Sequence, residues 1–354
     1  MEMKSYFIGT ILLLIIVAPS VAPTPPALYV YGDSLVDVGN NNYLPNPAFK
    51  ANFPFQGIDY PGSIPTGRFG NGYIGPDYLA KYMGFLQSQP PYLSITNENQ
   101  TLRGVNFGSG GSGILNSTGL GTISLARQVM YFQEVASNLS RRVGNLTAKK
   151  LLAKSICYIS SGSNDIFAYF LTYGLLNKTT NDQFIATLVK TLKTHLTTLY
   201  NSGARKIIIL GTAGLGCTPV MRSLLFPISG DCSKDLNNLS IQFKNETRAL
   251  LQNLTPTLSG LRYVFIDAYE MDSLIRANAH QYGFTELTNA CCGLGRFNGQ
   301  APCTPISNLC SNRDNHYSWD LVHPTRALAK LISNMSYYDS LHVFPMNIQQ
   351  LVNA

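Results

Sequence analysis

The stretch Ala27-Leu-Tyr-Val-Tyr31, which runs directly into Gly32-Asp-Ser-Leu35, is the segment from which the fold of this 354-residue chain is predicted. An uninterrupted apolar run of this length is typical of a strand that is buried on both faces, as in a parallel sheet. The glycine and the polar residues behind it end the strand and place Ser34 at its carboxyl end. Ligands of open parallel sheets bind outside that edge, so Ser34 is a candidate functional residue.

Further apolar runs alternate with segments of helical period along the chain. The predicted strands are 27–31, 102–107, 155–160, 205–210 and 262–266. Two amphipathic helices are predicted from apolar residues spaced by three or four, in the segments 184–199 and 236–254. A final helix is expected over 324–339, with Pro324 in its first turn. This alternation predicts a doubly wound parallel α/β sheet of about five strands between helical layers, in a single domain over residues 23–354.

Residues 1–22 differ in composition from the rest of the chain. Lys4 supplies a positive charge, 6–17 form an apolar segment, and small residues follow as far as Ala22, which predicts a secretory signal peptide. The apolar segment is shorter than the roughly 20 residues that a membrane span needs, although an uncleaved anchor is the alternative. We therefore expect a secreted protein with no integral membrane segment after removal of the signal.

The seven cysteines also predict an oxidising compartment. Cys157 lies within an apolar run and is expected to be a buried free thiol. The other six lie among Gly, Pro, Asn and Ser, which is typical of loops joined by disulfides. They are Cys217, Cys232, Cys291, Cys292, Cys303 and Cys310. We expect Cys217 to pair with Cys232 and the last four to pair among themselves. The alternative, a zinc site, is not favoured because no Cys-x-x-Cys pair is present.

Sequons and charge agree with an extracellular location. Nine Asn-x-Ser/Thr sequons predict surface glycans, and they begin at Asn99, Asn116, Asn138, Asn145, Asn177, Asn238, Asn245, Asn253 and Asn334. Hydrophobic residues make up 45% of the chain and charged residues 13%, which indicates a folded globular protein. The net charge of +7 without a dense Lys/Arg cluster favours an acidic extracellular matrix over nucleic acid as a partner.

Glycine-containing polar motifs follow three of the predicted strands, and a fourth motif lies near the end of the chain. The motifs are Gly32-Asp-Ser34, Gly108-Ser-Gly-Gly-Ser-Gly113, Gly162-Ser-Asn-Asp165 and Trp319-Asp-Leu-Val-His-Pro324. If the strands are parallel, the first three motifs converge on one edge of the sheet. Together the motifs offer a serine, a histidine and a carboxylate, which is the set that nucleophilic ester hydrolysis requires.

Each of these residue types has a definite role in that chemistry. Ser34 would be the nucleophile, His323 would take its proton and pass it to the leaving alcohol, and Asp320 would hold the imidazole in the required tautomer. The oxyanion of the intermediate needs preorganised donors. We expect them to be the Ser34 N–H, the side-chain amide of Asn164 and a glycine N–H, at either Gly110 or Gly111.

Two other site types are not favoured by the sequence. The segment 108–113 matches Gly-x-Gly-x-x-Gly, but a loop rather than a helix is expected over 115–119, and no acidic residue follows at the next strand end, which argues against dinucleotide binding. Gly-x-Ser-x-Gly does not occur, which argues against the α/β-hydrolase fold.

The chain resembles the GDSL esterase/lipase family of SGNH-type serine hydrolases, and specifically its secreted plant branch. The matching motifs are Gly32-Asp-Ser-Leu35, Gly104 to Gly113, Gly162-Ser-Asn-Asp165 and Trp319 to Thr325. The resemblance covers almost the whole mature chain. It implies a flavodoxin-like three-layer αβα fold, hydrolysis of lipid, acyl or acetyl esters through an acyl-enzyme on Ser34, and no cofactor or metal. It also implies an extracellular location, with association with the acidic cell-wall matrix, and favours Gly110 over Gly111.

Two alternatives to hydrolysis remain open. An acyltransferase would use the same triad but accept an alcohol in place of water. A secreted binding protein would keep the fold without turnover, although the complete triad argues against this alternative.

Overall fold

The computed structural model describes residues 24–46, 49–173 and 178–354. Within these ranges the strands are β1 (Leu28–Gly32), β2 (Ile156–Ser160), β3 (Lys206–Leu210), β4 (Arg262–Ile266), β5 (Glu286–Ala290), β6 (Cys292–Gly293), β7 (Asn308–Leu309), β8 (His316–Ser318) and β9 (Val343–Phe344). The α-helices are α1 (Gly75–Tyr82), α2 (Leu125–Val143), α3 (Asn145–Lys154), α4 (Ser163–Tyr173), α5 (Lys178–Asn201), α6 (Pro219–Leu225), α7 (Lys234–Leu254), α8 (Ala268–Ala277), α9 (Arg326–Tyr338) and α10 (Ile348–Asn353). The predicted signal peptide lies outside the described residues.

The main sheet has five strands in the order β1-β2-β3-β4-β9. The first four are parallel and in direct register, and β9 is antiparallel to β4. Because β1, β2 and β3 run the same way, the segments that follow them all leave from one edge of the sheet. This confirms the predicted parallel arrangement, including the convergence of the motifs after β1 and β2.

Both faces of the sheet are covered by helices, which explains why its strands are apolar throughout. Tyr29 and Cys157 belong to a core shared with α2, α5 and α7. Their chain neighbours Leu28 and Ile156 belong to a second core shared with α1, α8, α9 and α10. Successive side chains of a strand point to opposite faces. The two cores are therefore the two interfaces of a three-layer αβα fold, as predicted.

The predicted strand over 102–107 is wrong as a regular element. This segment lies beside β1 and makes backbone hydrogen bonds to Leu28 and Val30, but it forms only isolated bridges, from Asn106 to Val30 and to Pro91. Gly104 interrupts the extended conformation with a φ of 101°, and a Cβ on it would lie 1.9 Å from the carbonyl oxygen of Leu28. The close approach of this segment to β1 at Gly104 therefore takes the place of regular strand pairing. The fifth strand of the sheet is β9.

The helix predictions are largely confirmed. Helices α5 and α7 cover the two amphipathic segments. The helix expected over 324–339 begins only at Arg326, because the Thr325 side chain accepts the Leu328 N–H as an N-cap and leaves Pro324 outside. It is also not the final helix, since α10 follows it.

Disulfides connect the loops around the carboxyl edge. Their pairs are Cys217–Cys232, Cys291–Cys310 and Cys292–Cys303. Cys157 is buried and free. The predicted pair Cys217–Cys232, the pairing of the last four cysteines among themselves and the buried free thiol of Cys157 are therefore confirmed. None of the helices in the described ranges is long and apolar enough to cross a membrane.

Candidate active site

Ser34 lies in a tight turn directly after β1. The Asp33 carbonyl accepts the N–H groups of Val36 and Asp37, at 3.2 and 3.0 Å, which fixes this turn beyond the sheet edge. The Ser34 Oγ lies 2.8 Å from Nε2 of His323, although 289 positions separate the two residues. A serine hydroxyl and an imidazole at this distance can exchange a proton.

Asp320 holds the other side of the His323 ring. Its two carboxylate oxygens lie 2.7 and 2.9 Å from Nδ1, and Oδ1 also accepts the backbone N–H groups of Val322 and His323. Burial acts to raise the pKa of Asp320, but the charge of His323 and these hydrogen bonds outweigh it and hold the pKa below its usual value. The carboxylate therefore stays ionised and oriented toward the imidazole at neutral pH.

The segment between β8 and α9 that carries this pair is itself firmly held. The Trp319 N–H donates to the carbonyl of His323 at 2.8 Å, which closes the turn around Asp320. The fully buried Trp319 ring donates from Nε1 to Gln56 Oε1 at 3.1 Å. On the opposite side, the Phe69 ring lies 5.2 Å from the His323 ring, centroid to centroid.

The predicted oxyanion donors differ in whether their N–H groups are already engaged in hydrogen bonds. Asn164, in the first turn of α4, donates one side-chain N–H to the Ser112 carbonyl at 2.9 Å, so its second N–H is available. Among the described residues the Ser34 N–H has no acceptor. The Gly110 N–H, however, donates to Asp37 Oδ2 at 2.9 Å, whereas the Gly111 N–H has no acceptor in the same part of the chain. The predicted preference for Gly110 is therefore not supported by the geometry, because Asp37 already accepts the N–H that would have to bind the oxyanion.

Sequence reasoning missed two buried carboxylates, Asp37 and Asp165, that hold the glycine loop, which is the motif over 108–113 and the residues directly after it. Asp165 accepts the N–H groups of Ile114 and Leu115 and the hydroxyl of Thr118, all within 3.0 Å. Asp37 accepts the N–H groups of Gly39 and Asn40 besides that of Gly110. Both carboxylates replace the solvation of loop N–H groups that would otherwise be buried unpaired. The only sequence signal was their position within or just after a motif.

Asp33, next to the proposed nucleophile, is a third buried carboxyl group. Only 1% of its surface is exposed, and Oδ1 accepts the Leu35 N–H at 3.0 Å. Burial raises the pKa of Asp33 to about 7, although the Leu35 N–H and the charge of His323 act to lower it. Between about pH 4 and pH 7, Asp33 is therefore protonated in the folded protein and ionised in the unfolded chain.

Replacing Asp33 with asparagine is expected to weaken the pH dependence of stability. Because unfolding releases the Asp33 proton between about pH 4 and pH 7, the free energy of unfolding falls as pH rises through this interval, by at most about 4 kcal/mol from this group. The melting temperature of Asp33→Asn relative to wild type should therefore be higher at pH 8 than at pH 4.5. Calorimetry at both pH values measures this difference, and equal shifts at both would contradict the assignment.

A cavity of about 160 Å³ opens beside the Ser34 hydroxyl. Its wall includes His323 and Asn164 together with many apolar side chains from both helical layers. Within the described ranges, no group of three or more His, Cys, Asp or Glu side chains is arranged to hold a metal ion.

Comparisons with known proteins identify the family of this chain. The family described as GDSL-like lipase/acylhydrolase matches residues 28–335. The GDSL esterase/lipase At5g55050 of Arabidopsis thaliana is 38% identical over an alignment of 342 positions, which covers 93% of this chain and 90% of the relative. The GDSL esterase/lipase At1g71691 of the same plant is 35% identical over an alignment of 360 positions, which covers 96% of this chain and 92% of the relative. The chain therefore belongs to the family of GDSL-like lipases and acylhydrolases.

Proposed function

We propose that this protein hydrolyses carboxylic esters through an acyl-enzyme formed on Ser34. The observation that carries the proposal is the continuous hydrogen-bonded chain from Ser34 Oγ through the His323 ring to the Asp320 carboxylate. The names of its relatives, which are GDSL esterase/lipases, support the same reaction class.

The first half of the reaction transfers the acyl group to the enzyme. Ser34 Oγ attacks the ester carbonyl while its proton passes to Nε2 of His323, and the carbonyl electron pair moves onto oxygen. The tetrahedral intermediate collapses by breaking the bond to the alkoxy oxygen, which takes the proton from His323 and leaves as the alcohol. Asp320 stabilises the imidazolium that exists between these two steps.

The second half returns the enzyme to its starting state. A water molecule gives a proton to His323 as its oxygen attacks the acyl carbon. Collapse of this second intermediate breaks the bond to Ser34 Oγ, which regains the proton, and the carboxylic acid is released. The proposed donors to both oxyanions are the Ser34 N–H, the free Asn164 N–H and the N–H of Gly110 or Gly111.

Labelling with a fluorophosphonate probe tests the proposal directly. An activated Ser34 should react stoichiometrically, the label should map to that residue, and turnover of p-nitrophenyl butyrate should stop in proportion to labelling. A folded protein that neither reacts with the probe nor turns over an ester would overturn the proposal and favour the non-catalytic binding protein.

Truncating Asn164 to alanine should lower kcat by roughly 10²–10³-fold, since one preorganised oxyanion donor contributes about that much. Asn278→Ala is a matched control, because within the described ranges its side-chain amide makes one hydrogen bond, to the Leu274 carbonyl of α8. Steady-state kinetics on p-nitrophenyl butyrate compares the two variants. An unchanged kcat for Asn164→Ala would remove this residue from the mechanism.

We also propose that the enzyme works outside the cell, in contact with an acidic cell-wall matrix. Three disulfides support an oxidising compartment. The net charge of +7 supports attraction to polyanions. The predicted signal peptide over 1–22 is part of the same proposal.

A further inference from the structure

The cavity beside Ser34 has two chemically different sides. On one side, Asp272 accepts hydrogen bonds from Arg276 Nε at 3.0 Å and from the Tyr317 hydroxyl at 2.5 Å. Helix α9 contributes Leu328, Ala329 and Ile332 to the lining, which form an apolar wall, and Leu35 and Leu210 also line the cavity. An alkyl chain placed against the Asp272–Arg276 ion pair would exclude water from these charged groups. Binding of the chain along α9 is therefore more favourable.

Helix α9 is rigidly connected to the catalytic machinery. It begins two residues after Pro324, and its N-cap residue Thr325 is fully buried and also donates its hydroxyl to the His316 carbonyl at 2.7 Å. The residues that line the cavity, at positions 328, 329, 332 and 333, recur with the spacing of one helix face. The distance between His323 and this apolar wall is therefore set by one short, capped segment.

The apolar side ends at a floor formed by Gly75, Tyr158 and Ser333. The Ser333 hydroxyl donates to the Gly75 carbonyl at 3.3 Å, and a Cβ on Gly75 would lie 3.8 Å from the Tyr158 hydroxyl. Tyr158 precedes the end of β2 by two residues.

The floor is also chemically unsuited to a terminal methyl group. Only 3% of Tyr158 is exposed, and its hydroxyl, which faces the cavity, has no hydrogen-bond partner among the described residues. A methyl group pressed against that hydroxyl would exclude the water that can otherwise solvate it. Chain extension is therefore favourable along the apolar wall and unfavourable at the floor.

The volume of the cavity limits chain length in the same way. An apolar cavity of about 150 Å³ lined by Leu, Ile and Phe holds one benzene molecule, which has six carbons. The cavity found here has about 160 Å³ in total, with the part beside Asp272 and Arg276 included, so the α9 side holds no more than that. A chain much longer than six carbons must leave the cavity or displace its walls.

On these grounds we propose that the α9 side is the acyl pocket, that the preferred substrates are esters of acids with about four to six carbons, and that the floor together with the wall residue Ile332 sets the upper limit. The inference rests on the proposed ester hydrolysis at Ser34. Each methylene buried in the pocket is expected to raise kcat/KM about fourfold, the equivalent of about 0.8 kcal/mol, until the pocket is full.

A series of p-nitrophenyl esters from acetate to palmitate in one mixed-micelle buffer tests the inference. For wild type, kcat/KM should rise from acetate to hexanoate and then fall by more than about tenfold at laurate, as the pocket no longer holds the chain. Ile332→Ala, which widens the pocket above the floor, should move the maximum toward octanoate and raise the ratio of octanoate to acetate hydrolysis. Leu331→Ala is the matched control on the same helix, because Leu331 does not line the cavity.

A second variant protects the test against misfolding of Ile332→Ala. Ala329→Leu fills the pocket from the same helix face and should lower the ratio of hexanoate to acetate hydrolysis. A flat chain-length profile, a maximum at palmitate, or equal profiles for wild type and both pocket variants would overturn the inference but leave ester hydrolysis intact. Absence of turnover on every ester would instead overturn the proposed function.

Discussion

Replacing Ser34 with alanine is expected to lower kcat for ester hydrolysis by roughly 10⁵–10⁶-fold, because loss of the nucleophile removes the covalent pathway while the oxyanion donors and the substrate pocket remain. Among the described residues the Ser34 hydroxyl makes one hydrogen bond, to the His323 ring at 2.8 Å, so the variant should fold normally. Burst and steady-state kinetics on p-nitrophenyl butyrate measure the effect, with the melting temperature as a check on folding.

Ser163→Ala is a suitable control for this experiment. Ser163 also lines the cavity but makes no hydrogen bond to His323 or Asp320 among the described residues. Its kcat should stay close to that of wild type. If Ser34→Ala keeps more than about a hundredth of wild-type kcat in a preparation free of other esterases, another group supplies the nucleophile.

Asp320→Asn is expected to lower kcat by about 10⁴-fold with little change in KM. The asparagine would present an N–H to His323 Nδ1, which favours the tautomer that cannot accept the Ser34 proton at Nε2. Because His323 and the loop hydrogen bonds hold the pKa of Asp320 below its usual value, the wild-type carboxylate should remain ionised down to well below neutral pH. Its titration should therefore not limit the rate near neutrality.

Asp314→Asn is the matched control for this variant, since Asp314 lies in the same region but pairs with Arg326 at the surface. The pH dependence of kcat/KM for wild type and both variants separates a role in the His323 tautomer from a general loss of charge. A loss of less than about tenfold for Asp320→Asn, with the geometry intact, would show that Asp320 does not orient the imidazole.

Apolar patterning predicted most of the fold because the sheet is buried on both faces. Runs such as the one over 205–210 need no tertiary information to be recognised as central strands, and α5 and α7 follow from the period of their apolar residues. The segment 102–107 shows the limit of this reasoning. Its composition is that of a strand, but the close approach of Gly104 to Leu28 replaces regular pairing, and such a contact has no local signature.

The donors of the oxyanion site show a second limit. The motif containing Asn164 could be recognised by its place after a strand, and its amide lies beside the glycine loop as expected. The acceptors that compete for or arrange the loop N–H groups, Asp37 and Asp165, could not be identified, because carboxylates in turns are common. Their burial and their partners arise only when distant segments pack together.

By itself, the amino-acid sequence determined the strand–helix alternation, the residues that end each strand, and hence which polar motifs share one edge of the sheet. These are consequences of local patterning and of strand direction. Only the tertiary structure decided the 2.8 Å contact between Ser34 and His323, the hydrogen bond from the Gly110 N–H to Asp37, and the volume of the cavity beside Ser34. Distances of this kind depend on how helices such as α9 pack against the sheet, and packing is a property of surfaces that are far apart in the chain.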